Sequence, residues 1–256
     1  MADLTTLAAV KQYLSLPTSN VDSLVQRLIP RESRHIERWT GRVFPFVSNV
    51  SKRLNGTGTA ALMLPDQPIL AIQSLFISNT EVLPAASDTV PGYLFDDTTI
   101  YLGAGAKFPR GLQNVVASWT AGYSTDVATE VPTGNTPTLL IEDPGQPVQI
   151  TSVTTANGVV LTATANAPAA GEYQFNRPNV VFNSSDAGTP ITVGMYYVPA
   201  AVEQACIEMI GLDIKQRDNL GIRSKTLANE TVSYEGGGMT ASVKEMLYPY
   251  RKVAPV

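Results

Sequence analysis

Two stretches of this chain repeat the same order of residues, and this internal repeat constrains the fold more than any other feature. The first stretch begins Asp66-Gln67-Pro68-Ile69 and the second begins Gly145-Gln146-Pro147-Val148. Matched proline, serine, asparagine and glycine positions follow in the same order, at an offset of roughly 74 to 80 residues. Self-similarity at a steady offset indicates a repeated structural unit. The alternative is chance agreement between two segments that are both rich in threonine and valine.

Hydrophobic periodicity divides the chain into β-rich and helical parts. Alternation of apolar and polar residues predicts strands from Val43 to Tyr123 and again from Thr133 to Val198, with glycine and proline between them. Helical spacing of apolar residues marks residues 5–40, 199–217 and 240–248. The expected fold class is therefore α+β.

Local signals place the ends of the helices. Thr5 or Thr6 is expected to cap the first helix and Asn20 the second, and Gly41 is expected to end the second. Pro30 interrupts the second helical run and should kink the helix or open a new one. Pro199 is expected at the first position of the helix that follows the second β-rich stretch.

Three segments follow from this pattern. Residues 1–123 hold the N-terminal helices and a first β module. Residues 124–198 are an inserted β module that duplicates the first. Residues 199–256 hold a C-terminal helix, an extended segment and a tail. We expect the N- and C-terminal segments to form a helical bundle that carries the small first β domain, and the inserted domain to resemble a β-sandwich or barrel.

The rarest residue types exclude most catalytic chemistry. The chain has one cysteine, Cys206, and one histidine, His35, so it has neither an intrachain disulfide nor a two-histidine zinc site. It also lacks the GxGxxG, GxxxxGK(S/T) and GxSxG patterns of nucleotide-binding proteins and hydrolases. We therefore expect no catalytic, cofactor-binding or metal-ligating residue, and no cofactor.

Charge and hydropathy restrict the partners. The net charge of −4 is not that of a basic nucleic-acid-binding protein. No apolar run approaches the roughly 20 residues that span a membrane. An alternative is a hydrolase that uses carboxylate pairs, for which the candidates are Asp96, Asp97, Glu142 and Asp143. Adjacent acidic residues in turns are far more often simply solvated.

A stripe of arginines is the strongest electrostatic feature. On a helical wheel five of them fall on one side of the second helical run: Arg27, Arg31, Arg34, Arg38 and Arg42. Such a stripe contacts an acidic protein surface or a phosphate backbone, or it is a solvated face that Glu32 and Glu37 partly neutralise. For a helix considered alone, the solvated face is the more common of these.

The C-terminal part offers two further candidates. The tail combines aromatic residues with cations, which are favoured anchors of protein interfaces: Tyr248, Tyr250, Arg251 and Lys252. A β-prone segment before a glycine run could add a strand to a sheet edge in another chain, or form a local hairpin: Thr231, Val232, Ser233 and Tyr234.

Several segments resemble the head–tail connector (head completion or adaptor) proteins of tailed bacteriophages. The resemblance rests on Leu4–Leu14, on Ile36-Glu37-Arg38-Trp39-Thr40-Gly41-Arg42, and on Trp119-Thr120-Ala121-Gly122-Tyr123. It resumes at Pro199–Ile210 and at Leu247-Tyr248-Pro249-Tyr250-Arg251. The chain departs from this pattern between about Ser124 and Val198, where about 75 additional residues form the second β-rich stretch.

The resemblance implies a structural subunit without catalytic activity. Such proteins are expected to form a ring of about twelve copies beneath the portal, at the head–tail interface of a virion assembled in the host cytoplasm. In such a ring we expect the arginine stripe to form an interface, because a basic channel wall would bind DNA tightly and hinder its passage. The implied partners are other copies, the portal protein, a downstream neck or tail protein, and passing double-stranded DNA without sequence-specific contact; no membrane is involved. The alternative is a monomeric β-rich binding or adhesion module. A sugar site would need exposed aromatics, whereas Trp39 and Trp119 occupy positions typical of a core.

Overall fold

The computed structural model of the protein describes residues 3–44, 46–217, 224–227, 230–233 and 239–252. The described residues form four α-helices and several sheets of mostly antiparallel strands, so the fold mixes α and β as expected. They divide into two compact units. The first unit is drawn from Met1–Gly41, Ile141–Gln146 and Val198–Arg251, and the second from Arg42–Leu140, Pro147–Tyr197 and Lys252–Val256.

The first unit contains the helices, which are α1 (Leu7–Tyr13), α2 (Asp22–Thr40), α3 (Ala200–Gln216) and α4 (Ala241–Leu247). Helix α3 contacts each of the other three, and α1 also contacts α2. Helix α2 is strongly amphipathic, and its buried apolar side chains are Val25, Leu28, Ile29 and Ile36. Burial of this stripe, rather than helix propensity alone, stabilises α2.

Three of the helix ends follow from single residues, and two of these residues, Thr6 and Gly41, were predicted. The Thr6 hydroxyl accepts a hydrogen bond from the Ala9 amide (3.3 Å), and the Thr240 hydroxyl accepts one from the Val243 amide (3.3 Å). Gly41 ends α2 in a left-handed conformation with φ of 70°, which glycine adopts without steric cost.

Two other predictions of helix boundaries are wrong, and one alternative for Pro30 is excluded. Asn20 lies in a 3-10 turn, Ser19–Val21, and α2 begins behind Val21 without a side-chain cap. Pro30 lies inside α2 and opens no new helix, because apolar residues are buried on both sides of it and hold α2 together as one element. The kink at Pro30 stays a prediction. Pro199 is the residue before α3 rather than its first position.

Seven strands form a first β module. They are β1 (Phe46–Gly56), β2 (Ala61–Met63), β3 (Ile69–Ile77), β4 (Thr80–Glu81), β5 (Tyr93–Phe95), β6 (Thr99–Leu102) and β7 (Gly111–Gly122). One sheet has the strand order β1-β7-β3-β4 and the other has the order β2-β6-β5. Both sheets contribute to a single core, in which Trp119 is fully buried and its Nε1 donates to the Asp66 carbonyl (3.1 Å).

Seven further strands form a second β module. They are β8 (Ser124–Glu130), β9 (Thr138–Leu140), β10 (Gly145–Thr155), β11 (Thr162–Ala163), β12 (Glu172–Asn176), β13 (Asn179–Phe182) and β14 (Pro190–Pro199). The strand orders are β10-β14-β8 and β11-β12-β13-β9. The described sheets keep free edges, so the barrel form expected for this region is not observed.

The two modules share one strand order. In each module the last strand lies between the first strand and the third strand. The strands β1, β7 and β3 of the first module therefore correspond to β8, β14 and β10 of the second. Likewise β2, β6 and β5 correspond to β9, β13 and β12. The segments matched by sequence, from Ile69 and from Val148, lie in the equivalent strands β3 and β10.

The remaining strands are β15 (Ser224–Leu227) and β16 (Glu230–Ser233), which pair with each other antiparallel. Sequence periodicity predicts most strands of both modules but misses β1, β4 and β8. Strand β8 alternates exposed with half-buried side chains, and since none of them is fully buried its apolar signal is weak.

Candidate subunit interface

One side of α2 presents a row of exposed arginines, opposite the buried stripe of the same helix. This arginine face consists of Arg27, Arg31, Arg34 and Arg38. Their spacing of four, three and four residues keeps them within one side of a helix with 3.6 residues per turn. The predicted stripe is therefore present for these four residues.

Arg31 differs from its neighbours on the face because it is paired within the chain. Its Nε donates to Glu32 Oε1 (2.6 Å), and its Nη2 forms an ion pair with Asp213 on α3. Glu32 is buried, and its other oxygen lies 3.4 Å from His35 Nδ1. The carboxyl groups raise the pKa of Arg31. Arg31 therefore joins α2 to α3, and Glu32 neutralises part of the stripe as the solvated-face alternative expects.

The other three arginines of the face, Arg27, Arg34 and Arg38, form no ion pair with any residue that the structure describes. The span from Arg27 to Arg38 is about 16 Å along the helix axis. Three like charges at this spacing repel each other, and no described residue offsets the repulsion with an ion pair. An acidic surface brought against this side of α2 would remove the repulsion.

Arg42 does not belong to the arginine face, and its predicted place in the stripe is wrong. Helix α2 ends at Thr40, and the left-handed Gly41 turns the chain away from the helix axis. Arg42 is half-buried in the second unit, where its Nη1 donates to the backbone carbonyl of Gln67 (2.8 Å).

The four C-terminal candidates have different environments. Tyr248 is 71% exposed, whereas Tyr250 is half-buried and burial raises its pKa. The Arg251 guanidinium lies over the ring of Trp39, and Lys252 Nζ lies 3.9 Å from Asp66 Oδ1. Tyr248 is thus the most available anchor among them.

The proposed strand-addition segment lies in the β15–β16 hairpin. Thr231, Val232 and Ser233 pair with Thr226, Lys225 and Ser224 of the same chain. This is the local hairpin that the sequence left open as an alternative. Tyr234 lies outside the described residues.

The side chains that could carry chemistry, Cys206 and Asp96, have structural roles. Cys206 is fully buried, and desolvation raises the pKa of its thiol to about 12, so it is an inert core residue as expected. Asp96 accepts hydrogen bonds from the Thr98 and Thr99 amides (2.7 and 2.8 Å), which shapes the turn between β5 and β6. Within the described ranges, no group of three or more His, Cys, Asp or Glu side chains could hold a metal ion.

A second surface of interest lies in the second unit and was not identified from the sequence. It is a polar groove of about 470 Å³, called here the Asp126 groove, with residues of five strands along its walls: Leu70, Ala71, Thr120, Ser124, Thr125, Asp126, Thr151, Met195 and Tyr196. On the outer face of β8, Ser124, Asp126, Ala128 and Glu130 are exposed. The alternation of Ser124–Glu130 is the sequence signal that could have identified this edge strand.

Comparison with known proteins gives a family for the chain. A family model described as "Head completion protein" matches residues 3–132, which is half of the chain. Among curated proteins, none matches significantly. A chain from the "Neck of empty GTA particle computed with C6 symmetry" shares 13% identity at a TM-score of 0.43, covering 99% of this chain and 92% of that one. At this TM-score we base neither fold nor function on the likeness.

The family match spans the arginine face, the whole first β module and β8. It includes the N-terminal motifs on which the resemblance to phage head–tail connectors rests, and so confirms that resemblance. None of the described helices is long and apolar enough to cross a membrane. The chain belongs to the head completion protein family.

Proposed function

We propose that this protein is a head–tail connector subunit of a tailed bacteriophage. Copies of it assemble as a ring of about twelve beneath the portal, extend the DNA channel and offer a docking surface to the next neck or tail protein. Membership of the head completion family supports a structural rather than a catalytic role in the virion, at the head–tail interface.

The observation that carries this proposal is the arginine face. Arg27, Arg34 and Arg38 are exposed and lack acidic partners among the described residues, while Arg31 on the same side of α2 has two. A surface of this kind is stabilised when it is covered by an acidic protein surface. Assembly with another copy or with the portal supplies such a cover.

The face could instead line the channel and contact DNA. Each phosphate contact releases counterions, so a ring of about twelve such faces would hold DNA tightly. A channel through which the genome must pass at packaging and at ejection is better served by weak contacts. We therefore assign the arginine face to a protein interface and leave DNA without sequence-specific contact.

The inserted second β module and the C-terminal tail provide further contact surfaces. The shared strand order supports duplication as the origin of the second module. We infer that this module projects from the ring toward a neighbouring component. The exposed ring of Tyr248 makes the tail an anchor suited to the portal.

No observation favours the monomeric adhesion module. Trp119 is fully buried, and Trp39 is partly covered by Arg251. Neither tryptophan offers the open face on which a sugar ring would stack.

Charge reversal of the arginine face tests the proposed function. We expect negative-stain microscopy and native mass spectrometry to show a ring for the parent protein, alone or with the portal, and no ring for the R27E/R34E/R38E variant. A control variant, R53E/K107E/R110E, reverses three exposed cations of the second unit and should assemble normally. Normal assembly of the arginine-face variant together with poorer retention of packaged DNA would assign the face to DNA instead.

A further inference from the structure

We propose that the Asp126 groove receives arginine side chains from α2 of a second copy of this chain. The inference rests on the proposed ring and names the surface on which the arginine face docks. The contact is heterologous, because helix α2 of one copy meets the second β module of the next, and repetition of such a contact closes a ring when the rotation allows.

The groove has the size and the chemistry that a guanidinium group requires. Its volume of about 470 Å³ accommodates more than one side chain, and hydroxyl groups of Thr120, Ser124 and Thr151 lie along its walls beside the Asp126 carboxylate. A guanidinium presents five N–H donors in one plane and needs several oxygen acceptors around it. Carboxylate and hydroxyl oxygens together satisfy that need.

Gly194 of β14 lies beside Asp126. A Cβ atom at this position would lie 2.7 Å from Ser152 Oγ, 2.7 Å from Thr151 Oγ1 and 2.9 Å from Asp126 Oδ1. Glycine therefore leaves room for the Asp126 carboxylate where it stands, and a larger residue would displace it.

Asp126 and Glu130 carry negative charge that no described residue neutralises. Neither forms an ion pair or a hydrogen bond through its side chain with any residue in the described ranges. Four residues of a strand separate them, or about 13 Å, and seven residues of a helix separate Arg27 from Arg34, or about 10 Å. The two spacings are close enough for flexible arginine side chains to reach both carboxylates.

The occupant is a second copy because the same chain carries the complementary surface. The groove contains the Asp126 carboxylate, and the outer face of β8 adds the exposed carboxylate of Glu130 and the small side chain of Ala128. The arginine face has at least three unpaired cations and lies on a helix. DNA is excluded as an occupant of the groove, since its phosphates would repel Asp126 and Glu130.

A charge-swap experiment tests the contact. The first variant, R27E/R34E/R38E, makes the helix acidic, and the second, D126K/E130K, makes the groove basic. Each variant alone places like charges opposite each other and should weaken self-association about 10-fold or more. An equimolar mixture should restore rings in which the two variants alternate. The acidic helix of the first variant then meets the basic groove of the second, and the unchanged arginine face of the second meets the unchanged groove of the first. Native mass spectrometry should find both variants in equal number in every ring.

Two controls make the result specific. The D88K/D97K variant reverses two exposed carboxylates elsewhere in the second unit and should form rings alone. The isosteric D126N/E130Q variant removes the charge with minimal change of shape, so that its weaker assembly cannot be attributed to misfolding.

The outcomes separate this inference from the proposed function. Loss of rings in the acidic-helix variant but not in D126K/E130K would overturn the inference and leave the proposed ring intact. Normal rings from both variants would overturn this inference and the assignment of the arginine face to a protein interface, while the proposed ring itself would stand. Failure of the mixture to restore rings, or a parent protein that stays monomeric at every concentration, would also overturn the inference.

Discussion

The guanidinium of Arg251 lies over the ring of Trp39, with 5.4 Å between the central guanidinium carbon and the ring centroid. Trp39 belongs to the last turn of α2, and Arg251 directly follows the 3-10 turn Tyr248–Tyr250. The contact therefore joins the C-terminal segment to the helix that carries the arginine face. Because Arg251 is held against Trp39, it is less available than Tyr248 for contact with another protein.

Replacing Arg251 should loosen this junction. The R251A substitution removes a cation–π contact that contributes about 0.5 to 1 kcal/mol at a partly exposed site. We expect urea unfolding to show a loss of that size and the tryptophan emission to shift to longer wavelength, because Trp39 becomes more exposed while Trp119 stays buried. The K107A control, at an exposed lysine of the second unit, should change neither quantity. An unchanged emission spectrum in R251A would show that Arg251 does not cover Trp39 in solution.

The turn between β5 and β6 depends on one carboxylate. Asp96 accepts hydrogen bonds from two backbone amides and from the Tyr101 hydroxyl (2.8 Å), and the amide of Thr98 is the main cause of its lowered pKa. We expect D96A to reduce the free energy of unfolding by about 1 kcal/mol. Because the folded-state pKa is lowered, this stabilisation is present above the ordinary carboxyl pKa of 3.8 and is lost as the pH falls through the lower folded value.

Asp97 is the matched control for the Asp96 prediction. It is the next residue, it is also exposed, and its side chain has no hydrogen-bond partner among the described residues. D97A should therefore leave the urea midpoint unchanged at neutral pH and in acid. Equal destabilisation by D96A and D97A would mean that the turn does not depend on the Asp96 carboxylate.

Asp213 should make stability depend on pH in the opposite direction to Asp96. Burial, and then the negative charge of Glu32, raises the pKa of Asp213 above 3.8, while Arg31 opposes the shift. The folded state therefore binds more protons than the unfolded state between 3.8 and the raised value, and the contribution of Asp213 to stability falls as the pH rises through that window. Below 3.8 the contribution is fully present.

The D213N substitution isolates this contribution. Asparagine keeps an oxygen that can accept from Arg31 but cannot ionise. We expect the difference in unfolding free energy between the parent protein and D213N to change across the acidic range and to level off on either side of the window. An exposed carboxyl of α4 supplies the control, E245Q, whose difference curve should be flat. Parallel curves for the parent and D213N would contradict the assignment.

Sequence reasoning succeeded where the signal was local. Thr6 and Gly41 act on backbone groups within a few residues, so the start of α1 and the end of α2 could be predicted from single positions. That α2 continues through Pro30 could not be predicted, because the cost of the proline is local while the burial that outweighs it is tertiary. Arg42 was placed on the helix because a helical wheel continues past Gly41 although the helix does not.

In the candidate site, too, the local features could be predicted from the sequence and the tertiary ones could not. The arginine face is periodic along one helix and is visible in the sequence. The Asp126 groove is assembled from β3, β7, β8, β10 and β14, which are far apart along the chain, and its only carboxylate lies on a polar edge strand without a strong apolar pattern. Which of the arginines is already paired could not be predicted either, since Asp213 is 182 positions away from Arg31.

An interface built from the arginine face should weaken as salt is added. The screening length falls from about 10 Å at 0.1 M to about 3 Å at 1 M ionic strength, so contacts between exposed charges lose most of their attraction over that range. We expect sodium chloride to dissociate rings of the parent protein, as measured by sedimentation velocity, without reducing the stability of the subunit core around Trp119. The R34Q variant has one cation fewer and should show weaker assembly with a shallower dependence on salt. Rings that persist unchanged at high salt in both proteins would mean that apolar contacts, such as those available to Tyr248, hold the assembly instead.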